Sequence, residues 1–86
     1  MCRNITTLRG LDPTATPAEI EAAARQYVRK VSGVQKPTDR TGGPFEDAVT
    51  RIAAVTAELL DALPARQKPP PTLPPLRRRA GAPLAI

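Results

Sequence analysis

The distribution of proline constrains this chain most strongly, because proline lacks the backbone N–H that helices and central strands need. Seven of the eleven prolines lie at or after Pro64, in a stretch without apolar periodicity. The runs Pro69-Pro70-Pro71 and Pro74-Pro75 favour polyproline II, which has no internal hydrogen bonds. We therefore predict that residues 65–86 form a disordered or polyproline II tail, and that a folded module occupies residues 1–64.

Signals for helix starts and ends divide that module into two helices. Thr16 suits the N-cap, Pro17 suits the first helical position, and Glu19 completes a capping box with Thr16. Gly33 is the residue type that ends a helix, and Pro44 is suited to open the next. The prediction is an all-α fold: a short N-terminal segment followed by an antiparallel hairpin of helices at about 17–32 and 44–63.

Apolar residues recur at helical spacing in both stretches and predict the faces that meet in the core. In the first helix they are Ile20, Ala23, Ala24, Tyr27, Val28 and Val31, and in the second Phe45, Ala48, Val49, Ile52, Val55, Thr56, Leu59, Leu60 and Leu63. Ile5, Leu8 and Leu11 are expected to close one end of the hairpin. Residues 4–9 fit either one or two helical turns or a short strand, because Ile5, Thr6 and Thr7 are β-branched.

Composition excludes several classes of site. The chain has no His and a single Cys, so an internal disulfide and a structural zinc site are not expected, and no cofactor is predicted. No stretch approaches the roughly 18 apolar residues that span a membrane, and residues 1–10 lack the apolar run of a secretory signal. We expect a cytoplasmic, non-enzymatic protein.

Charge is distributed unevenly along the chain. Residues 1–63 carry eight basic and eight acidic side chains, whereas the remaining residues carry five basic and no acidic ones. The whole net charge of +5 therefore belongs to the tail, which is the pattern of a basic arm attached to a neutral domain.

The opening Met1-Cys2-Arg3-Asn4-Ile5, the turn Leu11-Asp12-Pro13, and Val28-Arg29-Lys30-Val31-Ser32-Gly33 with Lys36-Pro37 carry a family resemblance. Over about residues 1–64 the chain resembles a family of small bacterial proteins, common in actinobacteria, that is catalogued as a domain of unknown function. This resemblance implies a bacterial cytoplasmic origin and no particular activity.

Residues 8–37 are also similar to the first half of a J-domain, the helical hairpin of Hsp70 co-chaperones, and residues 45–63 to its third helix. Where a J-domain loop carries His-Pro-Asp, this chain has Ser32-Gly33-Val34. The resemblance implies a helical hairpin, but stimulation of Hsp70 is not expected without that tripeptide.

Cys2 is the candidate reactive thiol. If Met1 is removed, the new α-amine and Arg3 would lower the thiol pKa, which would suit redox chemistry, acylation or contact with a metal. Catalysis would still need a base, and the chain has no His. The alternative is a small residue that packs against the hairpin.

Basic side chains near the end of the first helix form a candidate partner-binding patch: Arg25, Arg29, Lys30 and Lys36. They would suit an acidic protein, a phosphate or RNA. The alternative is a solvated helix face whose cations lie favourably near the C-terminal helix dipole. Ser32-Gly33 could bind an anion, but a helix end is the simpler interpretation.

The tail carries a second candidate surface. Pro71 and Pro74 form a PxxP motif that suits an aromatic groove, and the basic residues Arg77, Arg78 and Arg79 could contact phosphates. The alternative is a disordered extension that keeps the protein in solution.

The leading hypothesis is a protein–protein interaction module that uses the hairpin and the tail. One alternative is an RNA- or ribosome-associated accessory protein anchored by the tail, and another is a thiol-dependent enzyme that uses Cys2. The hairpin could also form a homodimer through its second helix.

Overall fold

A computed structural model describes residues 4–64 and 69–79, with the side chains of Arg78 and Arg79 outside that description. Within these residues three helices follow one another: α1 (Pro17–Ser32), α2 (Gly42–Ala62) and α3 (Pro75–Arg79). No strand occurs in the part of the chain that the structure describes. The predicted all-α class is therefore confirmed.

Helix α1 has the boundaries that its capping residues predict. Thr16 Oγ1 accepts a hydrogen bond from the Glu19 N–H at 3.2 Å, and Glu19 Oε1 accepts one from the Thr16 N–H at 2.9 Å. The helix ends at Gly33, which has a φ of 74° and donates its N–H to the Arg29 carbonyl at 2.9 Å. A residue with a Cβ adopts this left-handed conformation at a cost, so glycine defines the end of α1.

Helix α2 begins two residues earlier than predicted. The Thr38 N–H donates to Thr41 Oγ1 at 2.7 Å, and the Gly42 N–H donates to the Thr38 carbonyl at 2.7 Å. This threonine turn leads the chain directly into the helix at Gly42, so Pro44 occupies its first turn rather than opening it. At the other end Leu63 is extended, since the residue before a proline is disfavoured in the helical region.

The two long helices pack antiparallel and bury two apolar clusters. The first cluster contains Ala24, Val28, Phe45 and Val49. The second contains Leu8, Leu11 and Ile20, with Ala53 and Leu60 packed against it. The start of α1 therefore meets the end of α2, as the hairpin prediction requires.

Part of the predicted core lies at the surface. Tyr27 is 50% exposed and Val31 is 64% exposed on α1, while Val55 is 59% exposed and Leu59 is 54% exposed on α2. A single helix–helix contact covers one stripe of each helix, so apolar residues beside that stripe stay in solvent. Ile5 and Leu63, also expected in the core, are likewise exposed.

The segment before α1 is neither helix nor strand. Residues 4–10 are irregular and lie against α1, where the Asn4 N–H donates to Gln26 Oε1 at 2.6 Å. Leu8 and Leu11 are buried in the second cluster. The segment is thus held by packing rather than by secondary structure.

The tail differs from its prediction within residues 69–79. Leu73 packs against the second apolar cluster, Pro70 and Pro74 are buried, and the five residues of α3 follow. The Arg77 N–H donates to the Pro74 carbonyl at 3.0 Å, which supports the first turn of α3. Contact with the hairpin, which composition does not reveal, orders this stretch.

Candidate functional site

The tail is joined to the hairpin by a charged hydrogen-bonded pair between Arg77 and Glu19. Arg77 Nε donates to Glu19 Oε2 at 2.9 Å, and Arg77 Nη2 donates to Glu19 Oε1 at 3.0 Å. Nη2 also lies 3.3 Å from the Thr14 carbonyl oxygen. The side chain of Glu19 is only 4% exposed and that of Arg77 18% exposed. Arg77, predicted to contact a partner, is thus engaged within the chain.

Glu19 serves both the capping box and this ion pair. Burial alone would raise the pKa of Glu19, but the Thr16 backbone hydrogen bond and the hydrogen bonds and charge of Arg77 lower that pKa below its ordinary value of 4.5. The carboxylate is therefore ionised at neutral pH. Because Thr16 lies 3 positions from Glu19 and Arg77 lies 58 positions from it, Glu19 couples the start of α1 to the tail.

Arg25 joins the two long helices instead of belonging to an open basic patch. Its Nη1 donates to Glu46 Oε2 at 2.6 Å, and its Nη2 donates to Glu21 Oε2 at 2.9 Å. Its guanidinium carbon also lies 5.9 Å from the ring centroid of Phe45. These hydrogen bonds raise the pKa of Arg25 and lower that of Glu46. The contact with Glu21 is an ion pair between residues four positions apart on α1.

The other basic candidates of the hairpin stay at the surface. Arg29, Lys30 and Lys36 are all exposed. Arg29 also contributes, as the weakest of several causes, to the lowered pKa of Glu46. The predicted patch is therefore reduced to three cations around the end of α1.

The remaining candidates divide between the tail and the termini. Pro71 is exposed and Pro74 is buried, so the two prolines of the PxxP motif differ in accessibility. Cys2 lies outside the described residues, as do the side chains of Arg78 and Arg79. Their predicted roles remain predictions.

An open groove of about 1140 Å³ runs between the N-terminal segment and the second half of α2. Its apolar floor is built by Leu8, Leu11, Ile20, Ala53, Leu60 and Leu63. Arg9 Nε donates to the Pro64 carbonyl at 2.8 Å, and because both residues line the groove, this bond links its two walls. We call this feature the acidic groove.

Carboxylates surround the floor of the acidic groove. Of the residues that the structure describes, Asp12, Glu21, Glu58 and Asp61 line it, against one basic lining residue, Arg9. Glu21 is paired with Arg25. Among the described residues, the other three carboxylates form no ion pair. The acidic groove therefore offers apolar surface within a negative field.

A smaller cleft of about 410 Å³ lies at the loop end of the hairpin. Its lining includes Tyr27, Val31, Val34, Ala48 and Ile52. Val55 and Leu59 continue the α2 side of this surface at helical spacing. Arg40 is the charged residue of the lining, so the cleft is apolar and lacks the carboxylates of the acidic groove.

Sequence reasoning missed the acidic groove and Glu19. In the sequence, the capping box accounts fully for Glu19, so nothing there points to Arg77 as its second partner. The carboxylates of α1 and α2 did carry a signal: Glu21 and Asp47 each have an arginine four residues later, whereas Glu58 and Asp61 have no basic residue three or four positions away. An acidic residue with no basic residue one turn away forms no ion pair within its own helix. Its charge can then act on another part of the chain or on a partner.

Two further kinds of feature do not occur in the part of the chain that the structure describes. No helix among them is long and apolar enough to cross a membrane. No group of three or more side chains there could hold a metal ion. These findings concern residues 4–64 and 69–79.

Comparison with known proteins places the chain in a family. The family model described as "Uncharacterized conserved protein (DUF2277)" matches residues 1–83. No curated protein and no solved structure gave a match. The resemblance seen over residues 1–64 is confirmed, and it extends through the tail segment that contacts the hairpin. This chain belongs to the family of uncharacterised conserved proteins designated DUF2277.

Proposed function

We propose that this protein is a non-enzymatic, cytoplasmic interaction module that binds a protein partner in the acidic groove. The observation that carries the proposal is an open groove whose apolar lining includes the exposed Ala54, Ala57 and Leu63. Beside them lie three carboxylates that have no ion-pair partner among the described residues. A marginally stable chain of this size would be expected to bury apolar surface unless that surface has another use.

The structure of the groove walls also favours binding. Leu73 packs against Leu8, Leu11 and Ile20, three residues that line the groove. The Arg77–Glu19 pair holds the tail in that position. The tail thus supports the groove wall, and a supported wall loses less conformational entropy when a partner binds.

The alternative of an RNA-associated protein receives less support from the same contacts. It relies on Arg77, Arg78 and Arg79, and the Arg77 guanidinium already donates to Glu19 and Thr14. The acidic groove would also repel a phosphate backbone. J-domain-like stimulation of Hsp70 is not part of the proposal, because Gly33 lies at the C-cap of α1, where a J-domain would carry its tripeptide.

Site-specific photo-cross-linking in the cells that encode the protein tests this proposal. A photoreactive amino acid replaces Ala57, which lines the groove, or Ala62, which is exposed on the same helix and does not line it. We expect a cross-link to one protein from position 57 and a much weaker one from position 62. The Ala54→Trp change should remove the product at position 57, because the indole occupies the part of the groove next to that position. Equal cross-linking from both positions, or none from position 57, would refute the proposal.

A further inference from the structure

We infer that the partner segment bound in the acidic groove is a cationic amphipathic helix with bulky apolar residues on one face and Lys or Arg along its flanks. The inference rests on the proposed function and adds the chemistry of the partner. It follows from three properties of the groove: its small-residue wall, its length and its charge.

Small side chains make up half of the α2 wall of the groove, which also contains Val49, Glu58, Leu60 and Asp61. Thr50, Ala53, Ala54 and Ala57 all line it, at the i, i+3, i+4 and i+7 spacing of one helix face. Such a wall allows the backbone of a second helix to approach closely and leaves hollows for large side chains. The partner must therefore supply the bulk, as Leu, Ile or Phe at the same spacing.

The length of this wall matches a helix of about three turns. Its residues run from Val49 to Asp61, which spans about 18 Å at the rise of an α-helix. An extended peptide would place alternate side chains on opposite sides and fill the hollows less regularly. A helix that packs beside α2 keeps the apolar side chains of one face aligned with these hollows.

The negative charge of the groove determines which residues suit the flanks of the bound helix. Glu58 lies one helical turn after Ala54 and Asp61 one turn after Ala57 on α2, and Asp12 lines the groove from the N-terminal segment. All three are exposed, and no described residue forms an ion pair with them. Basic side chains on both flanks would meet these carboxylates, whereas acidic ones would be repelled.

Binding of designed peptides to the full chain tests this inference by fluorescence anisotropy. The probe is a labelled amphipathic peptide of about 15 residues, near the length at which isolated helices begin to form, with leucines on one face and lysines on the flanks. One control replaces the lysines by glutamates. A second control keeps the composition and disperses the leucines around the helix. We expect saturable binding of the first peptide only, weakening as salt rises.

Charge reversal in the protein provides the matched comparison. Asp61→Lys places a cation in the groove, and Asp39→Lys makes the same change in the exposed 35–41 loop, where it does not line the groove. The first variant should bind about fivefold more weakly or worse, and the second should bind like the unaltered chain. Circular dichroism of both variants checks that they fold.

Several outcomes would overturn the inference. The first is that the glutamate or dispersed-leucine peptide binds as well as the lysine peptide. The second is that no peptide binds while position 57 still cross-links to a protein, which refutes the cationic helix but leaves the proposed function standing. The third is cross-linking between two copies of this chain at position 57, which would identify a homodimer instead. Loss of the position-specific cross-link, by contrast, refutes the proposed function itself.

Discussion

Arg77 and Glu19 are separated by 58 positions in the chain, yet two hydrogen bonds of 2.9 and 3.0 Å join their side chains. The pair links the tail to the first turn of α1, at the capping box that starts this helix. The carboxylate of Glu19 therefore contributes to the stability of the fold, to the position of the tail and to the support of the acidic groove.

The first prediction concerns the loss of this pair. Arg77→Ala should lower the free energy of unfolding by about 1–2 kcal/mol, less than the 3–5 kcal/mol typical of a fully buried pair, because release of the tail lets water reach Glu19. Arg77 Nη1 is buried without a partner among the described residues, which reduces the net gain further. Urea denaturation followed by circular dichroism measures the change.

Arg51→Ala is the matched control for that experiment. Arg51 pairs with Asp47 at 3.1 Å, but their side chains are 79% and 61% exposed. Removal of this surface pair should cost less than about 0.5 kcal/mol. If the two arginine variants lost equal stability, the Arg77–Glu19 pair would not hold the tail as described.

The second prediction is a pH dependence of stability. The pKa of Glu19 lies below its ordinary value of 4.5 in the folded chain, so the carboxylate stabilises the fold above that pH. This contribution should be lost as the pH falls below 4.5 through the folded-state pKa. Glu19→Gln keeps a side chain that can complete a capping box but has no charge, so its stability should fall less over the same range. Parallel urea titrations between pH 7 and pH 3 give the comparison, and parallel curves for the two proteins would contradict it.

The third prediction isolates the capping box. Thr16→Ala removes the oxygen that accepts from the Glu19 N–H and should destabilise the chain by about 1 kcal/mol. Thr16→Ser retains a hydroxyl and should cost only a small part of that. Thermal unfolding of both variants measures the difference. If serine were as damaging as alanine, packing of the threonine methyl group rather than capping would explain the loss.

The fourth prediction concerns the end of α1. Gly33→Ala should destabilise the fold by about 1 kcal/mol, since a Cβ is disfavoured at a φ of 74° even though it would meet no atom within 4 Å. Gly43→Ala is the control: its Cβ would also meet nothing within 4 Å, but the residue lies in helical α2 with negative φ. Alanine there should leave stability unchanged or raise it slightly. The midpoint of chemical denaturation should therefore fall for Gly33→Ala and stay unchanged or rise slightly for Gly43→Ala.

Local signals in the sequence account for the parts of the fold that were predicted well. Thr16, Pro17, Glu19 and Gly33 act on backbone groups within four residues of themselves, so they define α1 whatever else surrounds it. The start of α2 was misplaced by two residues, because the threonine turn at Thr38 and Thr41 competes with the proline signal at Pro44.

The candidate site could be predicted only in part. The sequence predicts that Arg77 binds a charged group, but it does not show that this group is Glu19 of the same chain. Asp12, Glu58 and Asp61 were counted as charges that balance the module, and their gathering around one groove was not foreseen. Asp12 is far from Glu58 and Asp61 in the sequence, so no spacing between them predicts that they line the same groove.

The sequence by itself determined that two helices would form, where α1 would begin and end, and that the excess positive charge would belong to the tail. These properties depend on neighbours along the chain. Only the tertiary structure decided that Glu19 binds Arg77, that residues 69–79 lie against the hairpin, and that an apolar floor stays open between three carboxylates. These relationships depend on how two helices and two irregular segments share a limited apolar surface, which is settled by packing in three dimensions.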